Sequence, residues 1–129
     1  MSLYETAVEA RARAYAAYSN YLVGAAVESA SGQVFSGANI ENISYGATVC
    51  AERVAIWKMV ESGERVWRRI AVVTADGGTP CGMCLQVMSE FAANEAEVIV
   101  GTPEGPRHTY RFRDLMPHAF SSDKVGPDK

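Results

Sequence analysis

The period of the apolar positions changes along the chain, and each change marks an element. Residues 3–18 are rich in helix-forming Ala, Glu and Arg, with Val8, Ala12 and Tyr15 at helical spacing, which predicts a first helix. Residues 22–29 and 33–40 read as two strands joined at Ala30-Ser31-Gly32, a hairpin. Residues 49–61 are apolar around most of a helical circumference, at Val54, Ile56, Trp57, Met59 and Val60. That pattern predicts a buried helix with Trp57 and Met59 in its core, stopped at Ser62-Gly63. Residues 70–73 and 98–100 are short continuous apolar runs, as in strands covered on both faces. Between them Leu85, Met88, Phe91 and Ala92 make one stripe of a third helix. Arg107, Thr109, Arg111 and Arg113 then alternate with His108, Tyr110 and Phe112, which reads as a half-exposed strand near an edge. Residues 121–129 are polar and are expected to form a loose tail.

The order α-β-β-α-β-α-β-β predicts an α/β fold, a three-layer α-β-α sandwich around a five-stranded mixed sheet. At 129 residues the chain has room for one core, placed at residues 1–120 ahead of the tail. The net charge is −3 and the arginines are scattered, so a nucleic-acid partner is not expected. Nor is a membrane partner, since no apolar run approaches a spanning length. The opening Met1-Ser2-Leu3-Tyr4-Glu5 lacks a basic and then apolar leader, so no secretory signal is read there. Three cysteines, an odd number, favour a reduced cytoplasmic setting and metal ligation over disulfides.

Those cysteines form one constellation. Cys50 opens Cys50-Ala51-Glu52-Arg53, and Cys81 and Cys84 lie in Pro80-Cys81-Gly82-Met83-Cys84. Both motifs fall where the chain leaves the sheet and enters a helix, and a helix start favours thiolate. Cys81 and Cys84, three apart across a first turn, can point the same way. Three thiolates can hold zinc and leave a fourth tetrahedral position to water, whereas a structural site has four protein ligands. A non-ligand Glu two residues after the first ligand, followed by P-C-x-x-C, is the zinc-deaminase signature, with Glu52 as general acid and base. Three thiolates outweigh the charge of one zinc ion, so Arg53 is read as donating hydrogen bonds to sulfur and tuning the metal. A surface salt bridge is the plainer reading of Arg53. His108 lies in an alternating strand and His118 follows Pro117, so neither resembles a ligand.

Over nearly its whole length the chain resembles the small homotetrameric cytidine deaminases. The resemblance is carried by Tyr18-Ser19-Asn20-Tyr21-Leu22-Val23-Gly24-Ala25-Ala26, Asn39-Ile40-Glu41-Asn42, Ser44-Tyr45-Gly46, both cysteine motifs, Gln86-Val87-Met88 and Leu115-Met116-Pro117-His118-Ala119-Phe120. It implies zinc-dependent hydrolysis of cytidine and deoxycytidine to uridine and deoxyuridine, with ammonia released, in pyrimidine salvage. Glu52 would take a proton from the attacking water, pass it to ring N3 and later protonate the departing amine. Asn39 and Glu41 would grip the 3′-hydroxyl, and the Ala51 backbone N–H would meet the pyrimidine O2. Tyr21 takes the place of a pocket phenylalanine, and Tyr45 and Phe120 match aromatics that other subunits contribute to each pocket. Asn39 alone would pass for a strand-end residue, and Tyr45 and Phe120 for packing aromatics.

Three positions depart from the family pattern. Leu85 stands where arginine is usual, Met83 replaces a smaller residue, and Tyr21 adds a hydroxyl. Other readings compete. A dithiol redox protein would use Cys81 and Cys84 and leave Cys50 and Glu52 without purpose. A noncatalytic zinc module would need a fourth ligand. A deaminase of a modified pyrimidine, a nucleoside antibiotic or another aminated heterocycle would keep the same metal chemistry.

Overall fold

The computed structural model describes residues 1–121; the expected loose tail lies outside the described residues beyond Ser121. Helix α1 spans Leu3–Arg11 and opens on a reciprocal cap, with the Ser2 hydroxyl taking the Glu5 N–H and the Glu5 carboxylate taking the Ser2 N–H. Strands β1 (Gly24–Ser29) and β2 (Val34–Ala38) form the expected hairpin. A 3-10 turn at Tyr45–Ala47 leads to α2, Ala51–Glu61. Then come β3 (Trp67–Val73), α3 (Gly82–Phe91), β4 (Ala92–Thr102), β5 (Gly105–Arg111) and a short α4, Phe112–Leu115.

The sheet order is β2-β1-β3-β4-β5, antiparallel except for the parallel pair β3–β4. A five-stranded mixed sheet between helices is therefore what the strand pattern led one to expect. Alternate residues of the central strands serve opposite layers. Ala25, Val27, Ile70 and Val72 face a large core with Ile56 and Met59 of α2 and Met88 of α3. Ala26, Ala71 and Val73 face Ala7 of α1. Fully burying a side chain such as Ile56 contributes about 1.5–3 kcal/mol. Small residues let the layers close: a Cβ on Gly24 would collide with the backbone of Ala7 and Arg11, and one on Gly37 would lie 2.7 Å from the Ala51 carbonyl oxygen. Gly37 thus permits β2 to lie tight against the start of α2.

Four expectations are corrected. Helix α1 ends at Arg11 rather than reaching Tyr18, although the intervening residues suit a helix. Tyr15 instead donates its N–H to the Asn39 carbonyl and accepts from the Glu41 N–H, and Arg11 Nε binds the Leu22 carbonyl. Ala92 is the first residue of β4, paired with Trp67, and not the end of the third helix. Phe112 leaves the edge strand to start α4, where it is buried edge-on against Trp67 with ring centres 5.5 Å apart. Trp57 is no core residue: 48 % of it is exposed, while Met59 is fully buried.

One ion cluster across strands β1 and β3, at the end of their pairing, supports a stability prediction. Glu28 on β1 accepts from Arg68 at 2.6 Å and from Arg69 at 2.5 Å, with 11 % of its side chain exposed. The Arg68 hydrogen bond, and then Arg69, hold its carboxyl below the usual range despite the opposing effect of burial. A depressed carboxylate stabilises the fold above its unfolded-state pKa, and that contribution fades as pH falls through the depressed value. Both arginines are about half exposed, so screening limits the effect, and Glu28→Gln is expected to cost about 1 kcal/mol at neutral pH. Urea unfolding should find the gap between the two proteins closing as the solution is acidified.

Candidate active site

Cys50 and Cys81 each stand immediately before a helix, at the cap positions of α2 and α3, in extended conformation. Cap residues ordinarily turn a side-chain oxygen onto the first helical N–H groups. Neither cysteine makes such a bond. Their sulfurs instead meet that of Cys84, one turn into α3. The Cys50–Cys81 separation is 4.0 Å, Cys81–Cys84 is 3.4 Å, and all three lie within 4.8 Å of one another. The parallel β3–β4 crossover makes this possible, because β3 ends beside β1 and delivers Cys81 opposite the start of α2.

The donor set fits zinc. Zn–S bonds of about 2.3 Å at tetrahedral angles space sulfurs roughly 3.8 Å apart, between the two separations above. Among the described residues no fourth His, Cys, Asp or Glu joins the cluster. His108 is exposed and stacks on Tyr110, and His118 is exposed. The cysteines are free thiols, and the convergence of all three leaves the dithiol reading without a role for Cys50.

The thiols influence one another strongly. Cys50 is lowered to about 5, first by hydrogen bonding with Cys84 and, against the effect of burial, by the Arg53 guanidinium. The same pairing with Cys50, together with burial, pushes the Cys84 thiol up. Arg53 Nη2 lies 3.5 Å from both Cys50 Sγ and the Thr48 carbonyl, and its guanidinium sits 5.9 Å over the Trp57 ring. Arg53 therefore touches sulfur, as expected, and is no surface salt bridge. Glu52 is buried on the first turn of α2, and burial, with the Cys50 charge adding, pushes its carboxyl up to about 7.

These groups border a cavity of about 290 Å³ that Cys50, Glu52 and Cys81 share with Tyr21, Asn39 and Glu41. Asn39 is buried; its Oδ1 accepts from the Val23 N–H and its Nδ2 donates to the Tyr21 carbonyl, both at 2.9 Å. One amide hydrogen remains for a ligand. Glu41 receives the Tyr18 and Ser19 N–H groups and the Ser19 hydroxyl, and these bonds, that hydroxyl first, hold its carboxyl below the usual range. Ala51 is fully buried as the first residue of α2, where a helix has N–H groups without internal partners. Tyr45 and Phe120 do not border the cavity. Tyr45 is 73 % exposed, edge-on to Tyr18, at an adjoining hollow that shares Ser19, Glu41 and Thr48 with it. Phe120 is 60 % exposed, its carbonyl held by Gln86.

Sequence reasoning missed Thr48, Thr74 and Thr79, which also line the cavity. Thr79 directly precedes Pro80-Cys81, and that proximity was the available signal. Of the departures, Leu85 packs against the main core and Met83 is exposed.

Comparison with known proteins agrees with this geometry. Residues 1–102 match the cytidine and deoxycytidylate deaminase zinc-binding region. The chain belongs to this family. It is 42 % identical to a cytidine deaminase of Halalkalibacterium halodurans over 95 % of each chain. It is 39 % identical to one of Mycobacterium tuberculosis over 92 % of this chain and 87 % of that one. A crystal structure of cytidine deaminase from Burkholderia pseudomallei matches with a TM-score of 0.87 at 42 % identity, covering 93 % of this chain and all of that one. The matched region is a zinc-binding one, and Cys50, Cys81 and Cys84 form a cluster able to hold that ion. No helix among the described residues is long and apolar enough to cross a membrane.

Proposed function

We propose that the chain catalyses the hydrolytic deamination of cytidine and deoxycytidine to uridine and deoxyuridine, releasing ammonia, in pyrimidine salvage. The observation carrying this reading is one cavity lined by Cys50 and Cys81, two of three converging sulfurs, and by a buried carboxylate outside the ligand set. Cys50, Cys81 and Cys84 would hold zinc, which supplies Lewis acidity that brings the pKa of water toward neutrality. The chain's own groups do the rest. Glu52 takes one proton from the attacking water and hands it to ring N3, then takes the second from the hydroxyl added at C4 and delivers it to the amine as the C4–N bond breaks. A carboxylate sealed from solvent is suited to holding each proton between its acceptance and its delivery. The Ala51 N–H orients the pyrimidine O2, the free amide hydrogen of Asn39 and the carboxylate of Glu41 take the ribose 3′-hydroxyl, and Arg53 draws charge from Cys50.

The family description spans nucleosides and nucleotides, and the cavity wall favours the former. Among the described residues its lining contains the carboxylates of Glu41 and Glu52 and no Lys, Arg or His. A 5′-phosphate brought there would meet like charge with no cation to pair, and a desolvated unpaired charge costs several kcal/mol. Cytidine is therefore expected to exceed deoxycytidylate in kcat/KM by at least about 100-fold, about 2.7 kcal/mol. Steady-state assays of both, beside a panel of aminated heterocycles, test this. Comparable turnover of deoxycytidylate would refute the nucleoside assignment, and preference for another heterocycle would favour the modified-pyrimidine reading.

Assembly as a homotetramer is part of the proposal. It is supported by the exposure of Tyr45 and Phe120, aromatics that a second copy would bring to the cavity. A fully active monomer in sedimentation would remove those contributions. Three free thiols at one metal site suit the reduced cytoplasm, where we place the enzyme.

A further inference from the structure

Tyr21 carries a hydroxyl that the proposed chemistry does not use. It donates to Asp76 Oδ1 at 2.6 Å, across 55 positions of sequence. Each end of this bond is fixed by its own local network. On one side the Tyr21 N–H is held by the Ser19 hydroxyl and its carbonyl by Asn39 Nδ2. On the other, Asp76 Oδ1 also accepts from the Thr74 hydroxyl and the Gly78 N–H, and the Thr74 hydroxyl in turn accepts from the Gly77 N–H at 2.7 Å. Gly77 adopts a φ of +77°, which lets the turn close. The first network carries Asn39 and Glu41; the second runs on through Thr79 to Cys81. Tyr21, Thr74, Thr79 and Cys81 all border the cavity. The Tyr21 hydroxyl also hydrogen-bonds with the Thr74 side chain, so its contacts with segment 74–81 centre on Asp76 and the threonine that Asp76 holds.

We infer that the Tyr21–Asp76 hydrogen bond is a strut across the cavity, a positioning pair that sets the distance between the wall bearing Asn39 and Glu41 and the wall bearing Thr79 and Cys81. The inference rests on the proposed function for what fills the cavity, but not for the strut itself. Asp76 does not line the cavity and acts only through Tyr21. With its hydroxyl committed to Asp76, Tyr21 offers the cavity its ring. Of the two bonded groups, only the tyrosine hydroxyl can be removed without disturbing the turn, because Asp76 also holds Gly78.

The strut should govern binding more than chemistry. Tyr21→Phe is expected to raise KM for cytidine, and the dissociation constant for uridine measured by calorimetry, by about 5-fold, which is roughly 1 kcal/mol, with a smaller change in kcat. Zinc content should match that of the unaltered enzyme. Asp76→Asn retains an acceptor oxygen and should restore both constants to within twofold, whereas Asp76→Ala should weaken binding at least as much as Tyr21→Phe. Adding Tyr21→Phe to Asp76→Ala should then cost much less than Tyr21→Phe does alone, the signature of a shared interaction. Unchanged KM and uridine binding in Tyr21→Phe would overturn the strut, as would additive effects in the double variant or a fall in unfolding temperature alone. If the unaltered enzyme binds zinc yet neither binds uridine nor deaminates cytidine, the functional reading fails instead, and the strut with it as a substrate-positioning device.

Discussion

Replacing Glu52 with glutamine is expected to lower kcat for cytidine by about 10²–10⁴-fold, the range typical of a lost general acid–base group. The amide has nearly the size and shape of the carboxyl, so the buried first turn of α2 should keep its packing. The change removes one property, the capacity to accept protons from the water and then from the C4 hydroxyl and to deliver them to the ring and the departing amine in turn. Zinc should stay bound, because Glu52 is not among the three converging ligands. KM should move much less than kcat, since the proton transfers occur after the nucleoside is seated. The fall in absorbance as cytidine becomes uridine gives the rate, and metal analysis of the same sample gives the zinc content. A variant with full rate and full zinc would exclude Glu52 from the reaction. A variant that lost its zinc would place the carboxylate among the ligands.

Removing a sulfur should be more drastic. Cys84 is fully buried and contributes to the main core as well as the metal cluster. Cys84→Ala leaves two sulfurs, so zinc should fall from roughly one ion per chain to almost none after passage over a chelating resin, and deamination should become undetectable. Loss of a residue that merely supports a ligand costs about 10–100-fold in metal affinity; loss of the ligand itself should exceed that. The unfolding temperature should drop too, since metal binding free energy adds to the free energy of folding. Cys81→Ala makes an informative comparison. Cys81 is exposed, so this change should abolish zinc binding to a similar degree while disturbing the metal-free fold less. Full zinc content in either variant would break the three-sulfur assignment.

Parts of this site are legible because they are local. Cys81 and Cys84 lie one turn apart on a helix, Glu52 follows Cys50 by two residues at another helix start, and those spacings hold wherever the helices go. The central strands were legible for a related reason: runs such as residues 70–73 are apolar on both faces only where both faces are covered. Helix and strand boundaries were less so. Residues 12–18 have helical composition, yet Tyr15 pairs with the segment around Ile40. The stretch from Ala92 has equally helical composition and becomes a strand beside Trp67. In both places pairing with a distant segment outweighed a propensity worth only tenths of a kcal/mol per residue. Trp57 misled for another reason: an apolar side chain on a helix need not face the core, and this one lies under the Arg53 guanidinium.

By itself, then, the order of residues picked out the three cysteines proposed to hold zinc, the carboxylate near Cys50 and the layered α/β arrangement, because each motif's spacing and each strand's apolar period are local. Only the tertiary structure decided that Cys50 meets Cys81 across 31 positions, that Asn39 spends half of its hydrogen-bonding capacity on the backbone of Tyr21 and Val23, and that Tyr21 reaches Asp76. Those contacts depend on which strands neighbour one another. That choice is made by the burial of the whole core, which no short stretch of sequence contains.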